Sequence, residues 1–315
     1  MENSPFRLVE YIRDGLVEQE HYGFIIHASQ QGIIKSYGET FGYPYFLRSC
    51  AKPLQASLIF DYGLDKEFCM TEQEIALCTA SHAGEKCHTE IIENLLKKFG
   101  LDETYLKCGI HKPLSKTRQN EMLLSGEKET QIHNNCSGKH TMMLGLCKLN
   151  NWDLKTYDDI NHPLQQAVKK KIYELCEIEK KYPITKDGCG VPIMSMPLEN
   201  MLKGFLNLFS DDKYSKLKSA FLNNPYLIGG EDRTDTKIIE NSQNILAKVG
   251  AGGLCIVINT KINEGFIVKI NDCNMQAREF AVVEFLKKLG WADINIDKNI
   301  KTLHNEKVGF VRVNL

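Results

Sequence analysis

Leu47-Arg48-Ser49-Cys50-Ala51-Lys52-Pro53-Leu54-Gln55 places a hydroxyl and an amine three residues apart, where an apolar strand gives way to a helix. Upstream, Tyr43-Pro44-Tyr45-Phe46-Leu47 has the aromatic character of a short buried strand. Downstream, Pro53 to Phe60 reads as a helix with proline in its first turn. Side chains three apart on a helical turn share a face. Lys52, if desolvated to a neutral amine, is then placed to take a proton from the Ser49 hydroxyl. A serine N-cap followed by a solvated lysine has the same spacing, so the tetrad alone does not establish chemistry.

Composition narrows the classes. With 315 residues, 43% hydrophobic and 25% charged, the chain can bury a large core. A formal net charge of −1 gives no electrostatic footprint for nucleic acid or an anionic membrane. A small neutral or zwitterionic molecule is the better partner. Met1-Glu2-Asn3-Ser4-Pro5-Phe6-Arg7 lacks the basic and apolar regions of a signal peptide. No apolar run reaches the roughly 18 residues of a membrane span. A cytoplasmic location is the expectation. Eleven cysteines are an odd count with no C-x-x-C among them, so a disulfide framework or zinc ribbon is not expected and most are read as small buried apolar groups.

Strand character is concentrated at the two ends: Leu8 to Arg13, Tyr22 to Ala28 and Ile33 to Gly38, then Gly253 to Asn259, Gly265 to Ile270 and Val308 to Val313. Helical periods fill the middle: Thr71 to Ala80, Thr89 to Phe99, Ser137 to Leu149, Pro163 to Ile178, Pro197 to Phe209 and Lys213 to Leu222. A last helix spans Ala277 to Leu289. The expected fold is α+β: one antiparallel sheet built from both chain ends, flanked by helices, with a central helical lobe. The expected organisation is a single domain, residues 1–315, with a sheet lobe (1–62 and 245–315), a helical lobe (63–244) and a cleft between them.

Two further stretches carry polar chemistry. Ile132-His133-Asn134-Asn135-Cys136-Ser137-Gly138-Lys139-His140 sets thiol, amine and imidazoles at a helix start, with Ser137 or Asn135 available as cap; a capped helix with a buried cysteine fits equally well. Its Gly-Lys lacks the spacing of a phosphate loop. Asp187-Gly188-Cys189-Gly190-Val191-Pro192 is a glycine-rich turn presenting a cysteine. With Cys136, Cys189 supplies two thiolates of the kind found in many zinc sites.

Taken together, Arg48-Ser49-x-x-Lys52-Pro53, Ala80-Ser81-His82, Asn134 to His140, His162-Pro163, Asp187 to Pro192, Ile228-Gly229-Gly230 and Arg233-Thr234-Asp235-Thr236 match, in order, the Rhizobium etli-type (class 3) L-asparaginase family. The resemblance runs from the N-terminal strands to the last helix. It implies an amidohydrolase with a fold similar to serine β-lactamases and glutaminases. It further implies Ser49 as nucleophile, Lys52 as its base, and Ser81 and Lys269 as relay and orienting groups. Arg48, His82, His140 and Asp187 become the candidate substrate-binding residues. The family's metal position falls on Cys136, Lys139 and Cys189, with water completing zinc (Zn2+) coordination. Since lysine binds zinc only when unprotonated, such a site is expected to lower the affinity of Lys139 for its proton. Relatives of this kind are usually homodimers.

The chain departs from that pattern at Lys248-Val249-Gly250-Ala251-Gly252-Gly253, which resembles the family's Lys-Thr-Gly-Ala-Glu-Gly but has Val249 for threonine and Gly252 for glutamate. After Lys269, Ile270-Asn271-Asp272-Cys273 replaces an acidic pair and glycine. Three readings follow: hydrolysis of L-asparagine beside a zinc site, a serine-lysine hydrolase acting on another amide such as glutamine or a β-lactam, or a non-catalytic zinc-binding scaffold.

Overall fold

The computed structural model describes residues 2–315. Eight strands form one antiparallel sheet: β1 (Phe6–Arg13), β2 (Leu16–Ser29) and β3 (Gly32–Tyr37) from the start of the chain, and β7 (Ile245–Gly250), β8 (Leu254–Asn259), β9 (Glu264–Ile270), β10 (Asn299–Lys301) and β11 (Lys307–Val313) from its end. The order is β10-β11-β1-β2-β9-β8-β7, with β3 also on β2. The two chain ends meet where Phe24 of β2 opposes Lys269 of β9, and where Val9 of β1 opposes Val313 of β11. This is the sheet expected from the strand patterns, with β7 as a strand the periodicity reading did not assign. A short second sheet is made by β4 (Tyr45–Phe46), β5 (Ile184–Lys186) and β6 (Pro192–Met196) in the order β4-β6-β5.

Both faces of the large sheet are covered at its centre. Gly265 lies against Leu202 of the helix Leu198–Ser210, while Phe266 packs edge-on against Phe285 of the helix Met275–Lys288, 4.9 Å between centroids. Successive strand residues face opposite ways, so these helices lie on opposite sides. The unbroken burial of Leu254 to Ile258 follows from this double cover.

The helical part centres on Glu72–Thr79 and Ser137–Leu149, which pack together and against Ala51–Ala56. Their close approach is written in Gly138: a Cβ there would lie 2.2 Å from the Leu77 carbonyl oxygen. Several helix limits differ from the periodicity reading because local chemistry sets them. The helix Lys86–Lys98 starts three residues before Thr89, through a reciprocal cap between Glu85 and His88. Pro53 to Phe60 divides at Ser57 into Ala51–Ala56 and Leu58–Asp61, with the Ser57 hydroxyl donating to the Leu54 carbonyl. No helix of the described residues is long and apolar enough to cross a membrane.

Candidate active site

The Ser49 turn is held from two directions. β4 pairs with β6 through Tyr45 and Met196, and the Leu47 N–H donates to the Met194 carbonyl at 3.1 Å, tying the approach to Ser49 to the strand that follows Cys189. On the other side Cys50 Sγ donates to the Lys248 carbonyl at 3.2 Å, seating the turn on β7. Arg48 has φ of 48°, a left-handed conformation costly for a residue with a side chain. Its guanidinium holds Asp187 at 2.7 Å, joining the serine turn to the Cys189 turn. The Cys50 N–H is taken by Leu47 O and the Ala51 N–H by Arg48 O and Ser49 O. Among the described residues, the backbone bonds made outside helices and strands include none from the Ser49 N–H.

Three lysines are buried here, a type rarely found inside without a partner. Lys52 is 1% exposed, Lys139 2% and Lys248 1%. Lys52 Nζ contacts the carbonyl oxygens of Ala80 at 2.5 Å and Asn135 at 3.0 Å, and Ser81 Oγ at 3.1 Å. Both carbonyls are presented by helix boundaries. The chain turns extended at Ala80 after Glu72–Thr79, and Asn135 precedes Cys136, the N-cap of the Ser137–Leu149 helix. Burial pushes the Lys52 ammonium down to about 8, partly opposed by Cys136. Ser81, at 2% exposure, is the hydroxyl bonded to Lys52; no hydrogen bond joins Ser49 to Lys52 among the described residues. Ser49 itself is half-buried and open to solvent.

The second amine on Ser81 is not the one the family pattern singled out. Lys248 Nζ donates to Ser81 Oγ at 2.9 Å. Lys269 instead donates to its neighbour's carbonyl, Ile270 O, at 2.6 Å and lies 5.5 Å from the Tyr45 ring centroid. The lysine that the structure places beside Ser81 with Lys52 is therefore Lys248, not Lys269. A lone lysine inside the apolar strand Ile245–Gly250, followed by glycine in a stretch resembling Lys-Thr-Gly, was the available signal. Gly252 sits in the β7–β8 turn at φ 78°, which a glutamate would adopt only with strain.

Cys136, Lys139 and Cys189 converge as the resemblance implied. Lys139 Nζ lies 2.9 Å from Cys189 Sγ, and the Cys136 thiol, close enough to Cys189 to shift its titration, donates to Asn135 Oδ1 at 3.6 Å. The neighbouring Cys136 thiol and Lys139 bring Cys189 down to about 4, while Cys189 and burial push Cys136 up to about 12. In the protein without metal, burial would lower Lys139, but the two cysteines outweigh burial and hold the ammonium charged. Two sulfurs and one nitrogen from two elements make a donor set that fits zinc. Asp187 is kept ionised against its burial by Lys139 and Arg48. The helix is capped by neither Ser137 nor Asn135: Asn134 Oδ1 accepts from the Cys136 N–H at 2.9 Å.

His82 and His140 lie in the interior. Both are 0% exposed. His82 bonds Ser137 Oγ at 2.9 Å and accepts from the Gly84 N–H at 3.1 Å. His140 Nδ1 bonds the Tyr157 hydroxyl at 2.7 Å. Burial lowers both, His140 to about 3, so each is a neutral strut. Tyr157, absent from the sequence reading, orients His140 while its hydroxyl also accepts from the Lys107 N–H at 2.9 Å. All eleven cysteines are free.

Residues 9–313 match the L-asparaginase II family. The chain belongs to that family. It is therefore an amidohydrolase of the asparaginase type with a small-molecule substrate, as the class 3 resemblance implied. No curated protein matches the chain by sequence. Among solved structures, a β-lactamase from Mycobacterium bovis is 11% identical, covering 84% of this chain and 94% of its own, with a TM-score of 0.44. EstCE1, a hydrolase with promiscuous acyltransferase activity, is 8% identical, covering 82% and 93%, with a TM-score of 0.44.

Proposed function

We propose that this asparaginase hydrolyses L-asparagine to L-aspartate and ammonia by a serine-lysine mechanism beside a zinc site. The observation that carries the reading is the Ser81 hydroxyl held between Lys52 and Lys248 at 3.1 and 2.9 Å, with the half-buried Ser49 three residues before Lys52 in the chain. Ser49 is the nucleophile because it alone of the two serines is open to a substrate; Ser81, 2% exposed, is the relay.

Ser49 Oγ adds to the side-chain amide carbon while its proton passes through Ser81 to the neutral Lys52 amine. The Ser49 N–H stabilises the developing oxyanion, worth about 3 kcal/mol by comparison with other acyl-transfer sites. The carbon–nitrogen bond then breaks, the leaving nitrogen takes the proton from Lys52, and ammonia departs. Water attacks the Ser49 ester, its proton follows the same route to Lys52, and aspartate leaves as Ser49 recovers a proton. Lys248 supplies fixed positive charge and a hydrogen bond to Ser81 throughout. Arg48 and Asp187 line the approach and offer charges of both signs to the zwitterionic end of the substrate. Cys136, Lys139 and Cys189 would hold the zinc, which supplies Lewis-acid charge when bound.

Ammonia release from asparagine and glutamine, measured for wild type, Ser49→Ala and Ser81→Ala with metal content determined alongside, tests the reading. Turnover of asparagine lost in Ser49→Ala at unchanged metal content supports it. Full activity in Ser49→Ala contradicts the nucleophile, and preference for glutamine contradicts the substrate.

A further inference from the structure

The Arg233-Thr234-Asp235-Thr236 segment has no part in the chemistry above, yet it delivers a carboxylate into the interior. Asp235 lies on the helix Thr234–Glu240, which packs on β7, and is 0% exposed. Its Oδ2 is 3.4 Å from Lys248 Nζ and accepts from the Val249 N–H at 3.5 Å, while Oδ1 has no partner. A buried carboxylate stays ionised only beside a compensating charge.

Counting hydrogens around Ser81 turns this pair into a constraint. Ser81 Oγ has one proton to give, and its partners among the described residues are the two lysine nitrogens. With both lysines charged, that proton has no acceptor. One amine must therefore be neutral for Ser81 to donate, and geometry alone allows either. A charged Lys248 has three N–H groups for three acceptors: Ser81 Oγ, Asp235 Oδ2 and the Val249 carbonyl at 3.1 Å. A neutral Lys52 has two N–H groups for the Ala80 and Asn135 carbonyls and a lone pair left for Ser81. The carboxylate stands on Lys248's side.

We propose that Asp235 is a positioning residue that fixes Lys248 as a donor-only cation, so that the lone pair facing the Ser81 hydroxyl belongs to Lys52. This rests on the reading of Ser81 as the relay. The other groups around Lys248 leave Asp235 as the single carboxylate. They are Lys52 across Ser81, Arg278 from the helix Met275–Lys288, and the thiols of Cys50 and Cys255. Arg278 reaches the Gly250 carbonyl and Thr234 Oγ1, both at 3.4 Å, rather than the carboxylate. The two thiols are kept neutral by burial.

The test is the full-length enzyme as wild type, Asp235→Asn and Asp235→Glu. Wild-type kcat on asparagine is expected to rise with pH as Lys52 loses its proton and fall at higher pH as Lys248 loses its own. Asp235→Asn is expected to move the alkaline limb down by about one pH unit or more and lower optimal kcat by about tenfold or more, with KM nearly unchanged. Asp235→Glu is expected to restore the limb. A uniform loss of kcat with the alkaline limb in place would overturn the proposal. A second measurement needs no turnover: NMR titration of protein labelled at the lysine side-chain carbons, with Lys248→Arg used for assignment. Lys52 must titrate below Lys248 in the wild type; the reverse order overturns the proposal even if Asp235→Asn fails to fold. Wild-type protein that shows this order yet releases no ammonia from asparagine would count against the proposed function alone.

Discussion

Lys248 Nζ donates to Ser81 Oγ at 2.9 Å, joining a strand near the end of the chain to the residue just past the helix Glu72–Thr79. Lys269, one strand further beyond β8, makes no such contact. Lys248→Met is therefore expected to lower kcat on asparagine by about 10²–10⁴-fold, and Lys269→Met to leave kcat near the wild-type value. Steady-state ammonia assays of the two variants decide between the lysines; equal losses would contradict the assignment.

The base must be neutral to act. Because burial brings Lys52 down to about 8, kcat should rise with pH, about tenfold per unit below that value, and level off above it. A pH–kcat profile that falls between pH of about 6 and 8 has the wrong sign for a lysine base.

Gly138 sets the distance between the helix Glu72–Thr79, which leads into Ser81, and the helix that carries Lys139. Gly138→Ala puts a Cβ 2.2 Å from Leu77 O, and separating the helices is expected to cost about 1–3 kcal/mol. Urea denaturation should show a lower midpoint at unchanged slope, with kcat reduced as well. An unchanged midpoint would mean that the contact is not tight.

Zinc binding is expected to depend on both sulfurs. Cys136→Ala and Cys189→Ala should each abolish stoichiometric zinc by elemental analysis, and chelation of the wild type should lower Tm because the folded state loses a ligand. Metal retained at full stoichiometry in both variants would refute the donor set.

The sheet was legible because its strands sit at the chain ends, and the convergence of Cys136, Lys139 and Cys189 was legible as motifs. The choice between Lys248 and Lys269 was not. In the β7-β8-β9 register Lys248 is level with Ile256 and Ile267, and Gly250 with Leu254 and Lys269. Alternation therefore puts both lysines on one face. Only the seating of the Ser49 turn on β7, through Cys50 and Lys248 O, selects between them, and that contact spans most of the chain. His82 and His140 are a related case: a histidine inside a motif looks available, and its burial against Ser137 or Tyr157 appears only in three dimensions.

The central claim is acylation of Ser49, and rapid acid quench of wild-type enzyme with saturating asparagine, followed by peptide mass mapping, tests it most directly. The account predicts a β-aspartyl ester on the peptide bearing Ser49, absent in Ser49→Ala. An ester on Ser81, or turnover with no ester on either serine, would contradict it.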